Sequence, residues 1–278
     1  MRLAVGVGTV ADGTVEGCVE YCKALDVNRV VLAARSVPGY AETGVLDPEA
    51  LKAQRVSVER AGLTTSTIQF WPPYQLGGGR GSSTTIEALA RSMDAIAEAG
   101  LGVLAMFINV PKPVEPSEED AEWGKLVDFC GKLTSEAEQR GIKIATHFSG
   151  HQGRSLLAGS SAYRRLFQDV PSPSNGLTFC VGNVWVSDGE RTYNVLQEFA
   201  SRIFFVHMRS TKTSWGESPF WWDIADGPDI RRIFETLRAV GFEGDVASEH
   251  MPDVPGENRH DIGSAWALGY MKAILRYP

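Results

Sequence analysis

Eight short apolar runs alternate with eight helix-like segments along this 278-residue chain, and few folds accept that order. The runs are RLAVGV (2–7), RVVLAA (29–34), TSTIQF (65–70), GVLAMFINV (102–110), KIATH (143–147), LTFC (177–180), IFFVH (203–207) and DVASE (245–249). They are short for helices and rich in β-branched or aromatic residues, which marks them as strands. Between them, apolar residues recur at helical spacing over 14–25, 48–61, 84–99, 117–140, 160–168, 190–200, 228–240 and 264–276. Asp47 before Pro48, Ser83, Ser117 and Gly227-Pro228-Asp229 offer helix starts, while Gly62, Gly100, Gly141 and Gly241 stand just past helix ends. Eight βα repeats predict an α/β chain forming a (β/α)8 TIM barrel, read as one domain over 1–278. A doubly wound sheet would have fewer strands and a glycine-rich first turn.

Charge and composition narrow the function classes. The net charge is −7, and the basic stretches are short: RSTK at 209–212 and the RR pairs at 164–165 and 231–232. A nucleic-acid partner is therefore not expected. The start, MRLAVGVGTV, has neither a charged leader region nor a cleavage signature, and no apolar stretch approaches the ~18 residues a membrane span needs. A cytoplasmic protein without membrane contact is the expectation. Cys18, Cys22, Cys130 and Cys180 are scattered without disulfide-scaffold spacing, so reduced thiols are expected. The glycines of GVGTV (6–10) and GGGRG (77–81) lack the order of a nucleotide-phosphate loop.

Four metal-binding side chains stand at the last positions of the final four runs: His147, Cys180, His207 and Glu249. In a (β/α)8 barrel the C-terminal strand ends carry the active site. Two imidazoles, a thiolate and a carboxylate converging there would bind one divalent ion; sulfur favours Zn²⁺, Fe²⁺ or Co²⁺, and the hard carboxylate oxygen admits Mn²⁺. Around them, Arg35, Gln69, Trp71, Asn109, His151 and Arg154 are substrate-contact candidates. So are Trp215 and Trp222, in a loop that also holds Phe220 and Trp221, with Trp185 following strand 6. Such an aromatic rim suits a sugar ring or an apolar group, and it equally suits packing beneath a long loop.

NGLTFCVGN (175–183), SRIFFVHMRST (201–211) and the SEH of ASEHMPD (247–253) resemble motifs of the mannonate dehydratase family, within the xylose-isomerase-like barrels. ATHFSG (145–150) resembles its strand-5 histidine motif, and GSAWALGYMKAI (263–274) resembles its last helix. The resemblance implies His147, Cys180 and His207 as metal ligands, with Glu249 where the family has Asp. It also implies Mn²⁺ and a hydro-lyase that removes water from an aldonate to give a 2-keto-3-deoxy acid.

Departures are also visible. The family's helical insertion after strand 4 is reduced to PKPVEPSEED (111–120), its strand-2 histidine pair to Arg35-Ser36, and its catalytic tyrosine to Gly263. Its His-Pro-Asp-Asp turn becomes His147-Phe148-Ser149-Gly150. His250 is the acid–base candidate, because imidazole titrates near neutrality. Neighbouring strand residues face opposite ways, so that role requires the strand to end or bend at Glu249. Arg209 could clamp a carboxylate through its fork of donors. His260 and Asp261 are weaker candidates.

Three other functions fit the same barrel: a sugar isomerase or epimerase, a lyase acting on an oxidised glycoside, and a non-catalytic metal-containing sugar-binding barrel. Related epimerases use paired carboxylates on strands 5 and 8, and strand 5 here ends in His147. The expected partner is a small-molecule sugar or sugar acid, and a homo-oligomer is compatible with the sequence.

Overall fold

Strand side chains alternate between faces, so eight half-apolar strands can bury one face inside a barrel and the other beneath helices. That arrangement is found. In a computed structural model, which describes residues 1–76, 85–109, 114–149, 156–212, 227–251 and 259–276, eight parallel strands pair in sequence order and close into a barrel. They are β1 (Arg2–Gly6), β2 (Arg29–Ala33), β3 (Thr64–Gln75), β4 (Val103–Asn109), β5 (Lys143–His147), β6 (Asn175–Cys180), β7 (Ile203–Met208) and β8 (Asp245–Ser248). Closure is made by β8 on β1, with Arg2 opposite Asp245 and Ala4 opposite Ala247.

The helices are α1 (Val15–Ala24), α2 (Tyr40–Thr43), α3 (Pro48–Arg60), α4 (Ile86–Glu98), α5 (Glu119–Gln139), α6 (Gly159–Asp169), α7 (Val181–Asp188), α8 (Thr192–Glu198), α9 (Ile230–Ala239) and α10 (Arg259–Arg276). Asp47 caps α3 by accepting from the Ala50 N–H at 2.7 Å, and Asp229 caps α9 by accepting from the Arg232 N–H at 3.2 Å. Two expected starts change. Thr85, not Ser83, caps α4 through the Ala88 N–H, and α5 begins after Glu118 without a side-chain cap. Gly62, Gly100, Gly141 and Gly241 all have φ between +64° and +80°, the left-handed turn that suits glycine at a helix C-terminus.

The larger difference is α7, which starts immediately after Cys180. Its sequence, VGNVWVSD, holds a glycine and three valines, all poor helix formers, over barely two turns. Burial of Val181, Val184 and Trp185 stabilises it instead. Trp185 therefore belongs to packing: it is 6% exposed and meets Tyr193 edge-on at 6.5 Å.

Register divides the interior into layers. Ala4, Val31, Ala105, Ala145, Phe205 and Ala247 form an inner cluster, in which one phenyl ring fills space left by alanines. Beneath it, Asp245 and Arg29 pair at the N-terminal ends of the strands. A second, larger core lies between the outer face of the sheet and the helices. All four cysteines are free and buried. Among the described residues, no helix is long and apolar enough to cross a membrane.

Candidate metal centre

Inward parity carries the upper layer directly to the four candidate ligand side chains. His147 and Cys180 end β5 and β6, His207 is the penultimate residue of β7, and Glu249 lies one residue past β8. Glu249 nevertheless continues the ladder, since its N–H donates to the Met208 carbonyl at 3.0 Å. Cys180 stands opposite His207 in register, which sets these two side by side.

The donor atoms converge closely. His147 Nε2 lies 3.1 Å from His207 Nδ1 and 3.3 Å from Glu249 Oε1, while His207 Nδ1 lies 3.0 Å from the same oxygen. The Cys180 thiol donates to the other carboxylate oxygen, Oε2, at 3.2 Å. The ligand atoms of His147, Cys180 and Glu249 all fall within 4.8 Å of one another. An ion bonded to nitrogen and oxygen at about 2.0–2.2 Å places neighbouring ligands about 3.0–3.5 Å apart, so the two-imidazole, one-carboxylate triangle fits one divalent metal.

Protonation follows from burial and from this crowding. Burial lowers the pKa of the His147 imidazole, against the opposing pull of Glu249. Burial also pushes the Cys180 thiol well up, reinforced by the Glu249 charge and opposed by Arg209. Burial alone would raise the Glu249 carboxyl, but His207 and His147 facing it hold its pKa well below the usual range. The Cys180 thiol donates to Glu249, so an ion taking both groups as ligands would displace the thiol proton. With Cys180 as a ligand, metal binding at neutral pH is expected to release its proton, so affinity should fall on acidification. Calorimetry in buffers of different ionisation enthalpy measures this directly, and zero proton release would exclude thiolate coordination.

Neighbours fix the imidazoles. Phe107 stacks on His147 at 4.0 Å and 21°, and Phe205 meets His207 edge-on at 4.8 Å. The buried Tyr163 hydroxyl donates to the His147 carbonyl and accepts from the Ser149 N–H, both at 2.9 Å. None of these three was a site candidate from sequence. Strand parity placed Phe107 and Phe205 inward, but nothing local marked Tyr163.

Arg209 is 6% exposed, and its Nη1 donates to Asn183 Oδ1 at 3.0 Å. It stands directly after β7, two residues past His207, and its charge is a smaller influence on both His147 and Cys180. The Ser210 hydroxyl is buried without a hydrogen-bond partner among the described residues.

The remaining candidates divide. His250 is exposed with φ +51°, and β8 has ended at Ser248, so the bend expected near Glu249 is present. Gln69 pairs with Ala33 and Ala105 and shares their inward parity. Arg35 is exposed and donates to the Gly8 carbonyl at 2.7 Å. Asp261 accepts from the Ala11 N–H at 2.7 Å, a link between α10 and the loop after β1. Trp71 and Asn109 lie in β3 and β4, but their side chains and that of His260 are outside the described residues. His151, Arg154, Trp215, Phe220, Trp221 and Trp222 are outside them altogether.

A family model described as D-mannonate dehydratase (UxuA) matches residues 114–275, the stretch that contains all four ligand candidates. The chain belongs to the D-mannonate dehydratase family. The mannonate dehydratase of Streptococcus agalactiae serotype V is 26% identical over 181 residues, covering 57% of this chain and 51% of that protein. The chain thus spans about half the length of the curated relatives it matches. The crystal structure of mannonate dehydratase from Streptococcus suis serotype 2 superposes with a TM-score of 0.75 at 20% identity, covering 99% of this chain and 94% of that one. A 3-keto-D-glucoside 4-epimerase from E. coli gives the same TM-score at 14% identity, covering both chains fully, so the shape is shared across activities. Family membership and the donor set together indicate a divalent metal.

Proposed function

We propose that this barrel dehydrates an aldonic acid to its 2-keto-3-deoxy acid, with Mn²⁺ at His147, Cys180, His207 and Glu249. The observation that carries the reading is a buried arginine beside a ligand set containing a single carboxylate. A carboxylate-bearing substrate needs a fixed cation to receive it, and Arg209 supplies two parallel donors. A bound divalent ion would stabilise the charge that develops on the substrate's oxygens as the adjacent carbon loses its proton.

The chain's own groups handle binding and protons. Arg209 orients the acid end, and Gln69, facing inward from β3, contacts the sugar hydroxyls. Arg35, Trp71, Asn109, His151, Arg154, Trp215 and Trp222 complete the substrate-contact set. A base removes the proton next to the carboxylate; the electron pair forms a carbon–carbon double bond, and the neighbouring hydroxyl leaves as water after gaining a proton. The resulting enol tautomerises to the keto acid. His250, at the bend after Glu249, transfers protons between substrate and solvent. A paired-carboxylate epimerisation is disfavoured, since the rim residue of β5 is His147.

Incubating metal-loaded protein with aldonic acids and assaying 2-keto-3-deoxy products tests the reading. Solvent-deuterium uptake without loss of water would replace dehydration by isomerisation. His250→Asn should lower kcat by about 10²–10⁴-fold with metal content unchanged. An unaltered kcat would remove His250 from the proton path.

A further inference from the structure

Asn183 occupies the first turn of α7 and is 7% exposed. Its side chain works in two directions: Oδ1 accepts from Arg209 Nη1 at 3.0 Å, and Nδ2 donates to the Phe148 carbonyl at 2.9 Å. Phe148 directly follows the ligand His147, so one amide ties the β5 end to the arginine that follows β7. The same turn seats the arginine's stem. A Cβ on Gly182 would lie 3.0 Å from Arg209 Cγ and 2.9 Å from Thr211 Cγ2, and the Thr211 hydroxyl donates to the Gly182 carbonyl at 3.0 Å. Any larger residue here would press on both side chains and force them to shift. The backbone N–H of Asn183 also favours the Cys180 thiolate, although no side-chain capping hydrogen bond forms at Cys180.

An arginine that must receive a carboxylate cannot be left to choose among rotamers, and a neutral amide holds it while adding no negative charge of its own. An aspartate in the same place would hold the guanidinium by neutralising it, in competition with substrate. We infer that Asn183 is a positioning residue for carboxylate recognition, aiming Arg209 across the metal rim so that the site selects sugar acids over neutral polyols. This inference rests on the aldonate reading above. Side-chain changes at Asn183 leave its backbone N–H in place, so they separate the guanidinium's aim from the thiol's environment.

The test is a double-mutant cycle of Asn183→Ala and Arg209→Ala in the metal-loaded protein. Affinity is measured by calorimetry for an aldonate and for the alditol of equal carbon number. Asn183→Ala should weaken aldonate binding about tenfold and raise KM in proportion, with kcat within about threefold, metal content unchanged and alditol affinity unmoved. In the Arg209→Ala background the same change should cost nothing further, because its effect acts through the arginine. Asn183→Asp supplies a second variant if the alanine protein folds poorly. It should bind metal normally while also losing aldonate preference.

A full loss in the Arg209→Ala background, or unchanged preference in both Asn183 variants, would overturn the inference. Wild-type protein that prefers the aldonate but forms no 2-keto-3-deoxy acid would sink dehydration and leave the clamp standing. Wild-type protein without preference between aldonate and alditol would overturn the clamp whether or not product forms.

Discussion

Glu249→Gln should strip the barrel of its metal while leaving the fold intact. One carboxylate oxygen lies 3.0 Å from His207 Nδ1 and 3.3 Å from His147 Nε2, and the other accepts from the Cys180 thiol at 3.2 Å. Glu249 thus contributes the carboxylate of the proposed centre, its pKa held low while burial pushes the Cys180 thiol's up. An amide of the same shape removes that charge and turns hydrogens toward groups that must donate lone pairs. Removing groups that merely orient ligands costs about 10–100-fold in metal affinity, so loss of this carboxylate should exceed about 100-fold.

Thermal unfolding reads the difference without any substrate. Wild-type protein at a metal concentration 100 times Kd gains about 2.7 kcal/mol. For a chain of this size that raises Tm by roughly 5–10 °C, and Glu249→Gln should show no such rise. Stoichiometric metal retained by the variant after gel filtration would refute the assignment of Glu249 as a ligand.

Legibility of this chain followed the range of the interactions. The convergence of His147, Cys180, His207 and Glu249 could be read because strand periodicity and barrel polarity are local rules, and together they predict that strand ends meet. Small offsets did not disturb that reading. His207 is penultimate in β7 and Glu249 lies just beyond β8, yet both keep inward parity. β3 runs on to Gln75 because Pro72 and Pro73, usually strand breakers, sit beyond the segment where β2 is paired.

What could not be read depends on packing between segments. α7 exists because the barrel buries its apolar side, against the propensity of its own residues. Tyr163 reaches the His147 carbonyl across 16 positions, and no periodicity announces such a partner. Asn183 lay within a recognised motif, but its task became visible only when Arg209 was found against it.

At the opposite end of the barrel, Asp245→Ala should destabilise the protein by about 3–5 kcal/mol and lower Tm by about 10 °C or more. Asp245 is 1% exposed and receives Arg29 at 2.9–3.0 Å through both Nε and Nη2. Ser66 and Thr67 hydroxyls donate to its second oxygen at 3.0 and 3.1 Å. Arg29 is itself 7% exposed, so truncating the aspartate leaves a buried guanidinium with its charge uncompensated. Arg2 also reaches Asp245, at 3.3 Å, but its side chain is half exposed, and Arg2→Ala should cost no more than about 1 kcal/mol.

The same physics predicts a rescue. Asp245→Leu combined with Arg29→Met removes both charges and should recover most of the stability, because a buried pair is dear to break and cheap to replace. Metal affinity should not change in any of these variants, since Asp245 and the rim lie at opposite ends of β8 and the inner cluster of alanines and Phe205 separates them. A melting temperature for Asp245→Ala within about 2 °C of wild type would show that water reaches Arg29 and that the floor is not sealed.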